Sequence, residues 1–247
     1  MKKILIFTLF IAKLATASEI DSFQFMSEEF PPYNYSIDGT PTGSSVETFQ
    51  LLLKELNSTK SIKDLTFWPW ARSYGLISTT PNHLLFVVTR TEAREKNFKW
   101  VGPISSSSNV LIGKKGFKFA QHSKELFYNY RYCVVRDDAG GQLLKEKFQI
   151  PSKSIFETSE PNTCIQLIKN NRADLFAYDL NVTKWILKKH NEDLEQFESK
   201  LVLSESEHFI AFSRQTSNEL ISKIQSALDK VKKSKDFKSI REKYFKK

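Results

Sequence analysis

Several features that mark whole classes of protein are scarce or missing in this chain. Its two cysteines and four histidines are scattered, so no group of them has the spacing of a metal site. The triplets Gly-Lys-Ser and Gly-Lys-Thr do not occur, which excludes the common phosphate-binding loop. Beyond residue 17, no apolar run approaches the ~20 residues that span a bilayer. We expect neither a metal nor a cofactor.

Residues 1–17 have the composition of a secretory signal. Lys2 and Lys3 give a basic start, residues 4–12 are apolar, and small residues at 15–17 precede the predicted cleavage before Ser18. The alternative is an uncleaved anchor. No cysteine follows the apolar stretch, so we expect an exported protein of the periplasm without a lipid anchor.

The positive charge is concentrated at the two ends. The net charge is +9, of which three charges belong to lysines in the acid-free residues 1–17, leaving about +6 for the rest. Much of this excess lies between Lys230 and Lys247, where a basic tail could contact nucleic acid. Apolar residues recur in this tail at roughly helical spacing, which favours an amphipathic terminal helix with a solvated basic face. We expect no nucleic-acid partner.

The hydrophobic pattern alternates between the periods of strands and helices. Hydrophobic residues make up 40% of the chain, with 20 phenylalanines, as a packed core requires. Strands are predicted at 20–26, 65–68, 84–88, 132–135, 154–157 and 174–178, and helices at 45–56, 70–77, 141–148, 162–170, 181–189 and 217–233, before the terminal helix. Segment 109–113 is expected to leave the first group of elements, and segments 201–203 and 209–212 lead to the helix at 217–233. This order favours an α/β fold with largely parallel sheets.

The two cysteines have a structural interpretation. Cys133 lies near the start of a predicted strand and Cys164 early in a predicted helix. In an oxidising compartment such a pair readily forms a disulfide. Two buried free thiols are the alternative.

The segment after the third strand has the chemistry of a carboxylate site. The strand ends at Thr89, and Arg94 follows in a short polar stretch. A guanidinium supplies a rigid fork of donors that matches two carboxylate oxygens, and a hydroxyl adds a third contact. The sequence TRTEAR at 89–94 resembles the T-x-T-x-x-R signature of the bacterial extracellular solute-binding proteins of family 3, the periplasmic amino-acid receptors. The resemblance implies that Thr89 and Arg94 hold the ligand's α-carboxylate; a plain strand-to-helix turn is the alternative.

The same resemblance implies a fold. It is the α/β, type II periplasmic-binding-protein fold, in which two lobes, each a mostly parallel sheet flanked by helices, enclose a ligand cleft. The first lobe is discontinuous and would comprise residues 18–107 and 205–247, with the second lobe at 108–204. The serine run at 105–108 is expected to be an exposed crossing between the lobes.

Two aromatic segments extend the candidate site. The sequence FPPY at 30–33 resembles the family's PPY/F loop, which implies that Tyr33, with Phe30 as a secondary candidate, contacts the ligand. The sequence FWPWARSY at 67–74 departs from the better-known receptors. There Trp70 and Arg72 could form a cation–π shelf and an additional anion site, with core packing as the alternative.

Further cationic and backbone donors are expected around the ligand. Arg90 stands where the family has an apolar or small residue. It would either bind an additional acidic group of the ligand or pair with a nearby glutamate. The sequence VVRDDAGGQ at 134–142 joins a strand to a helix, whose first N–H groups attract a carboxylate. The resemblance places Ala139 and Gly140 at the contact positions, with the basic Arg136 just before them.

A carboxylate for the ligand's ammonium group is the last predicted element. The sequence NRADLFAYD at 171–179 resembles the family's G-x-a-D-a-x-x-x-D segment, whose last Asp receives the α-ammonium. Here that residue is Asp179, and the adjacent Tyr178 is a secondary candidate. Alternatively, Asp179 caps the helix predicted at 181–189, and both roles can coexist.

The resemblance favours a binding protein that catalyses no reaction. We expect a monomeric receptor that closes on an amino acid or related carboxylate and delivers it to the permease of an ABC-type transporter. A sensory receptor of the same fold that docks on a membrane partner is an alternative. A less favoured one is a dehydratase of cyclic acids, in which Glu28, Glu29 or Asp179 would act as acid or base, with Arg72 and Arg90 binding a dicarboxylic substrate.

Overall fold

The computed structural model describes residues 18–120 and 124–245, so the predicted signal segment lies outside the described residues. These residues form ten strands: β1 (Gln24–Ser27), β2 (Tyr35–Ile37), β3 (Thr40–Thr42), β4 (Leu65–Phe67), β5 (His83–Thr89), β6 (Phe98–Lys114), β7 (Tyr132–Val135), β8 (Ile155–Thr158), β9 (Leu175–Asp179) and β10 (Phe197–Ser213). The helices of these described residues are α1 (Ser44–Glu55), α2 (Trp70–Thr79), α3 (Glu92–Glu95), α4 (Lys124–Phe127), α5 (Ala139–Glu146), α6 (Pro161–Lys169), α7 (Leu180–Lys189), α8 (Asn218–Lys232) and α9 (Lys235–Phe245).

Eight of these strands form one sheet in the order β4-β1-β5-β10-β6-β9-β7-β8. At one end β4, β1 and β5 are parallel, and at the other end β9, β7 and β8 are parallel. The central pairs are antiparallel. The long strands β6 and β10 pair along their whole length, from Phe98 opposite Ser213 to Lys114 opposite Phe197, and connect the two ends of the sheet.

Helices cover the sheet because they present apolar faces to it. At the first end, Phe49 of α1 contacts the rings of Phe25 and Phe86 at centroid distances of 5.1 and 4.8 Å. At the second end, α6 is attached covalently, since Cys164 forms a disulfide with Cys133 of β7. The predicted disulfide is therefore confirmed, and the alternative of two free thiols is wrong.

The structure differs from the sequence-based prediction at the two connecting strands. Segments 109–113, 201–203 and 209–212 were expected to be short and separate, whereas they belong to the uninterrupted β6 and β10. The intervening residues are mostly Ser and Glu, which lack the apolar alternation of a strand, but their backbones pair with each other, for example Ser107 with Ser206. The expected exposed crossing at 105–108 is also wrong in part, because Ser107 is buried and only Ser106 is exposed.

Two other predictions concern boundaries. The first strand, expected to begin at residue 20, is preceded by a 3-10 turn at Glu19–Ser22 and begins at Gln24. The predicted lobe boundaries at 107/108 and 204/205 fall inside β6 and β10 and stay a prediction. No helix in the described ranges is long and apolar enough to cross a membrane.

Candidate functional site

Four strand ends converge at the middle of the sheet. The parallel strands β1 and β5 at one end, and β7 and β9 at the other, all direct their carboxyl ends towards the crossing of β6 and β10. Thr89, at the end of β5, pairs with His208 of β10, while Asp179, at the end of β9, pairs with Asn109 of β6. Crevices outside the carboxyl ends of parallel strands are the usual ligand sites of open α/β sheets.

Arg94 of α3 connects the two ends of the sheet at this crevice. Its side chain is buried, with 1% exposure. Nη1 donates to the carbonyl oxygen of Thr89 at 3.1 Å, and Nη2 donates to that of Asp137, in the loop after β7, at 2.7 Å. The rings of Trp70 and Tyr74 lie 5.0 and 5.2 Å from its Cζ atom, within the range of cation–π attraction.

The guanidinium of Arg94 retains hydrogen-bonding capacity. An arginine carries five N–H donors, and within the described residues Nε of Arg94 has no partner. No ion pair within 4.0 Å links it to a carboxylate of those residues. Burial lowers the pKa of Arg94, while Asp138, Tyr74 and Glu28 oppose that effect. The arrangement suits an additional anion.

Two acidic side chains near Arg94 were not among the candidate ligand contacts from the sequence. Glu28 follows β1 and is buried, and Asp138 caps α5 by accepting a hydrogen bond from Gly140 N at 3.0 Å. Loss of solvent raises the pKa of both carboxyls, and Asp138 raises that of Glu28 further, whereas Arg94 lowers both. Sequence reasoning considered Glu28 only as a dehydratase acid, because nothing in the local pattern shows which charged residues face inward.

Both carboxylate oxygens of Asp179 accept hydrogen bonds within the protein. Its Oδ1 accepts hydrogen bonds from the N–H groups of Asn181 and Val182 at 2.9 and 3.1 Å, so it caps α7. Its Oδ2 accepts from Ser107 Oγ at 3.3 Å and Ser108 N at 3.4 Å on β6. Burial nevertheless raises the pKa of Asp179 to about 6. The predicted cap is present, and the carboxylate is costly to keep ionised without a nearby cation.

The predicted backbone donors lie at the start of α5. Ala139 and Gly140 are buried, and the Gly140 N–H is bonded to the Asp138 carboxylate. Glycine is required at 140 because a Cβ atom there would collide with the carbonyl oxygen of Ala177 on β9. The helix start therefore packs directly on the sheet.

Three of the predicted aromatic residues, Phe30, Tyr33 and Tyr178, form one cluster beside the long strands β6 and β10. The rings of Phe30 and Tyr33 are stacked at 5.6 Å, and Tyr178 meets Phe30 edge-on at 5.7 Å. The Tyr178 hydroxyl and Trp70 Nε1 are buried without a hydrogen-bond partner among the described atoms. Buried polar atoms usually have partners, so the Tyr178 hydroxyl and the Trp70 Nε1, whose ring lies 5.0 Å from the Arg94 Cζ, are polar atoms that a ligand in the crevice can satisfy.

Three predicted guanidinium groups are not brought to this cluster. Arg72 is exposed and lies 4.3 Å from the ring of Trp68. Arg90 is exposed and donates to both carboxylate oxygens of Glu95, at 2.6 and 2.5 Å. Arg136 is also exposed, with Glu157 as a distant partner at 4.0 Å. Of the two alternatives for Arg90, the structure shows pairing with a neighbouring glutamate.

Comparison with known proteins agrees with this geometry. The family model "Bacterial extracellular solute-binding proteins, family 3" matches residues 25–247. The Escherichia coli (strain K12) protein named "Putative ABC transporter arginine-binding protein 2" is 26% identical over 265 aligned positions, which cover 100% of both chains.

Solved structures show the same fold. A substrate-binding protein of a Streptococcus pneumoniae ABC uptake transporter, with bound histidine, has a TM-score of 0.77 at 16% identity, covering 92% of this chain and 93% of that one. A histidine kinase sensor domain similar to periplasmic binding proteins has a TM-score of 0.76 at 17% identity, covering 92% and 98%. The crevice is thus the cleft of a two-lobed type II periplasmic-binding fold. Because the family match spans most of its length, the chain belongs to the bacterial extracellular solute-binding proteins, family 3.

Proposed function

We propose that this chain is an exported receptor that captures an amino acid between its two lobes and delivers it to an ABC-type uptake transporter. The observation that carries the proposal is Arg94. A buried guanidinium that joins both ends of the sheet and keeps unpaired N–H donors is suited to a carboxylate bound at the closing cleft.

The two charges of the ligand have separate partners in this proposal. Arg94, supported by the Thr89 hydroxyl, receives the α-carboxylate. Asp179 receives the α-ammonium, because its carboxylate is buried without a cation and gains most from one. Phe30 and Tyr178 cover the aliphatic part of the ligand. Arg72, Arg90 and Arg136 have no role in the cleft.

The charge balance of the cleft further favours a ligand with a cationic side chain. Within the described part of the chain, the acids Glu28, Asp138 and Asp179 accompany one buried guanidinium, that of Arg94. Burial raises the pKa of all three carboxyls, so a ligand cation beside them lowers the cost of ionising them, and a second ammonium or guanidinium does so more than a zwitterion alone. The Escherichia coli relative is named as an arginine-binding protein, which supports L-arginine, L-lysine or L-ornithine as the first ligands to examine.

The proposal is tested by thermal unfolding of residues 18–247 after carried-over ligand has been removed by unfolding and refolding. A ligand present at a hundredfold excess over its Kd stabilises the fold by about 2.7 kcal/mol, so a true ligand gives a clear rise in Tm. We expect the largest rise with cationic L-amino acids and smaller rises with neutral ones. A rise only with dicarboxylates, or none with any amino acid, would contradict the proposal.

Binding of the cationic ligand is expected to weaken in acid. The Asp179 carboxylate has a pKa of about 6 without ligand, and a bound cation lowers it, so binding displaces a proton below that pH. The affinity should be constant above pH 7 and about tenfold lower at pH 5, one pH unit below the pKa of Asp179. Titration calorimetry at pH 8, 6 and 5 measures this dependence, and an unchanged Kd would argue against a carboxylate partner.

A sensory receptor is the second candidate, favoured by the structural similarity to a histidine kinase sensor domain. The cleft would serve both functions equally. Uptake of the radiolabelled ligand in cells that lack this chain separates them, since lost uptake supports transport and unchanged uptake supports sensing. A dehydratase is disfavoured because Arg90, one of its expected dicarboxylate partners, is paired with Glu95, and Arg72, the other, is exposed against the ring of Trp68.

A further inference from the structure

Tyr33 was expected to contact the ligand, but its hydroxyl is fully engaged elsewhere. It donates a hydrogen bond to the carbonyl oxygen of Ser106 at 3.0 Å and accepts one from Asn181 Nδ2 at 3.0 Å. The side chain has 1% exposure. A phenol has one donor, and here that donor is used within the protein. Burial also raises the pKa of Tyr33, so the group stays a neutral donor.

These two bonds join three separate parts of the fold. Tyr33 precedes α1 at the first end of the sheet, Ser106 lies on β6 where that strand crosses between the ends, and Asn181 lies in the first turn of α7 at the second end. The hydroxyl therefore connects both lobes and one of the strands between them. Few other groups in the described residues do so; the bond from Arg94 to Asp137 is another.

The anchoring of Tyr33 at the first end is rigid. Its carbonyl oxygen accepts a hydrogen bond from Ser45 N at 2.8 Å, at the start of α1. The preceding Gly43 has a φ of 118°, and a Cβ atom there would collide with the main chain of Tyr33. The ring is held between His208, at 4.7 Å, and Phe30. A displacement of the hydroxyl thus requires movement of the surrounding lobe.

At the second end, the same helical turn carries Asp179. Asp179 Oδ1 accepts the N–H of Asn181, and its Oδ2 faces β6. The position of this carboxylate relative to Arg94 therefore depends on how the first turn of α7 is fixed to β6 and to the first lobe. Asn181 makes that connection to Tyr33 through its side chain.

We infer that Tyr33 is a positioning residue that latches the closed cleft through Ser106 and Asn181, rather than a ligand contact. The inference rests on the proposed function only in that a ligand is needed to measure closure. Because the hydroxyl touches no ligand, its loss raises the free energy of the closed form equally for every ligand. Each Kd should therefore rise by the same factor.

The test compares Tyr33→Phe with wild type for several ligands from the thermal screen. The variant keeps the ring and loses both hydrogen bonds, so we expect a loss of affinity of about tenfold for each ligand, with the ratios between ligands unchanged. Tyr35→Phe is the matched control, since Tyr35 begins β2 two residues further along the chain and its hydroxyl makes no hydrogen bond with the described residues. If Tyr33→Phe binds the ligands as tightly as wild type, or if its losses of affinity differ between ligands, the inference that Tyr33 latches the cleft is wrong.

A second measurement needs no ligand and so separates failure of the latch from failure of the proposed function. Tyr33→Phe and Asn181→Ala remove one shared bond, so in ligand-free protein the fall in Tm of the double variant should be smaller than the sum of the single falls. Additive falls together with a uniform loss of affinity would place the bond in the ligand-bound form alone, whereas additive falls together with unchanged affinity of Tyr33→Phe would overturn the inference.

Discussion

Replacement of Arg94 by alanine is expected to raise the Kd for the cationic amino acid about 100-fold or more. The guanidinium is buried and is the cation nearest to the proposed carboxylate position. Truncation of one partner of a buried, hydrogen-bonded charge pair costs about 2–5 kcal/mol, which corresponds to a range from about 30-fold to several thousand-fold. Titration calorimetry on ligand-free protein measures the change directly.

Two further variants make this result specific. Arg90→Ala removes a guanidinium from the same segment, but that group is exposed and paired with Glu95, so the Kd should stay within about twofold of wild type. Arg94→Lys keeps the charge near Glu28 and Asp138 but loses the planar fork, and it should still weaken binding more than tenfold. Wild-type affinity in Arg94→Ala would refute the assignment of the carboxylate site.

Replacement of Asp179 by asparagine is expected to weaken binding about 100-fold and to lower the Tm at pH 7 less than replacement by alanine does, because the amide oxygen keeps the cap while its NH2 cannot accept the Ser108 N–H. Asparagine is as good a helix N-cap as aspartate, so α7 keeps its cap. The pKa of Asp179 is raised in the folded protein, so the native state binds more protons than the unfolded chain between about pH 4 and 6. Its stabilising contribution is therefore lost as the pH rises through 6. The uncharged amide avoids this cost, while the ligand's ammonium loses its counter-charge.

Asp179→Ala distinguishes the cap from the ligand contact. Alanine removes both, so this variant should bind weakly and also unfold at a lower temperature, since loss of a cap costs about 1 kcal/mol. Thermal unfolding and calorimetry on the same samples separate the two effects. If Asp179→Asn binds like wild type, the carboxylate is only a cap, and the ammonium partner must be sought at Glu28 or Asp138.

Local patterns predicted the parts of the site that are determined by neighbouring residues. The buried strand that ends at Thr89, the strand at 132–135 and the disulfide between Cys133 and Cys164 were all predicted from hydrophobic runs, spacing and compartment. Resemblance to the family then singled out Arg94, in the short helix after β5, and Asp179, at the end of β9. Each of these features depends on a short segment of the chain, so it can be predicted from the sequence alone.

Features that depend on distant partners could not be predicted in the same way. The polar middle of β6 forms a strand because β10 lies beside it, not because its own sequence alternates. Arg72 and Arg90 were candidate cleft residues, but Trp68 and Glu95 hold them at the surface. The cleft instead gains Glu28 and Asp138. The local pattern indicates that a residue is charged, whereas the tertiary fold determines whether it faces the ligand.

Calorimetric titration with paired ligands tests the central claim most directly, namely that the cleft recognises both charged groups of an amino acid. The pair consists of the cationic amino acid with the largest Tm shift and its decarboxylated amine. We predict saturable binding of the amino acid and a loss of about 100-fold or more for the amine, because Arg94 then faces no carboxylate. Equal affinity for both ligands would contradict the account, since it would mean that Arg94 does not bind the carboxylate of the amino acid.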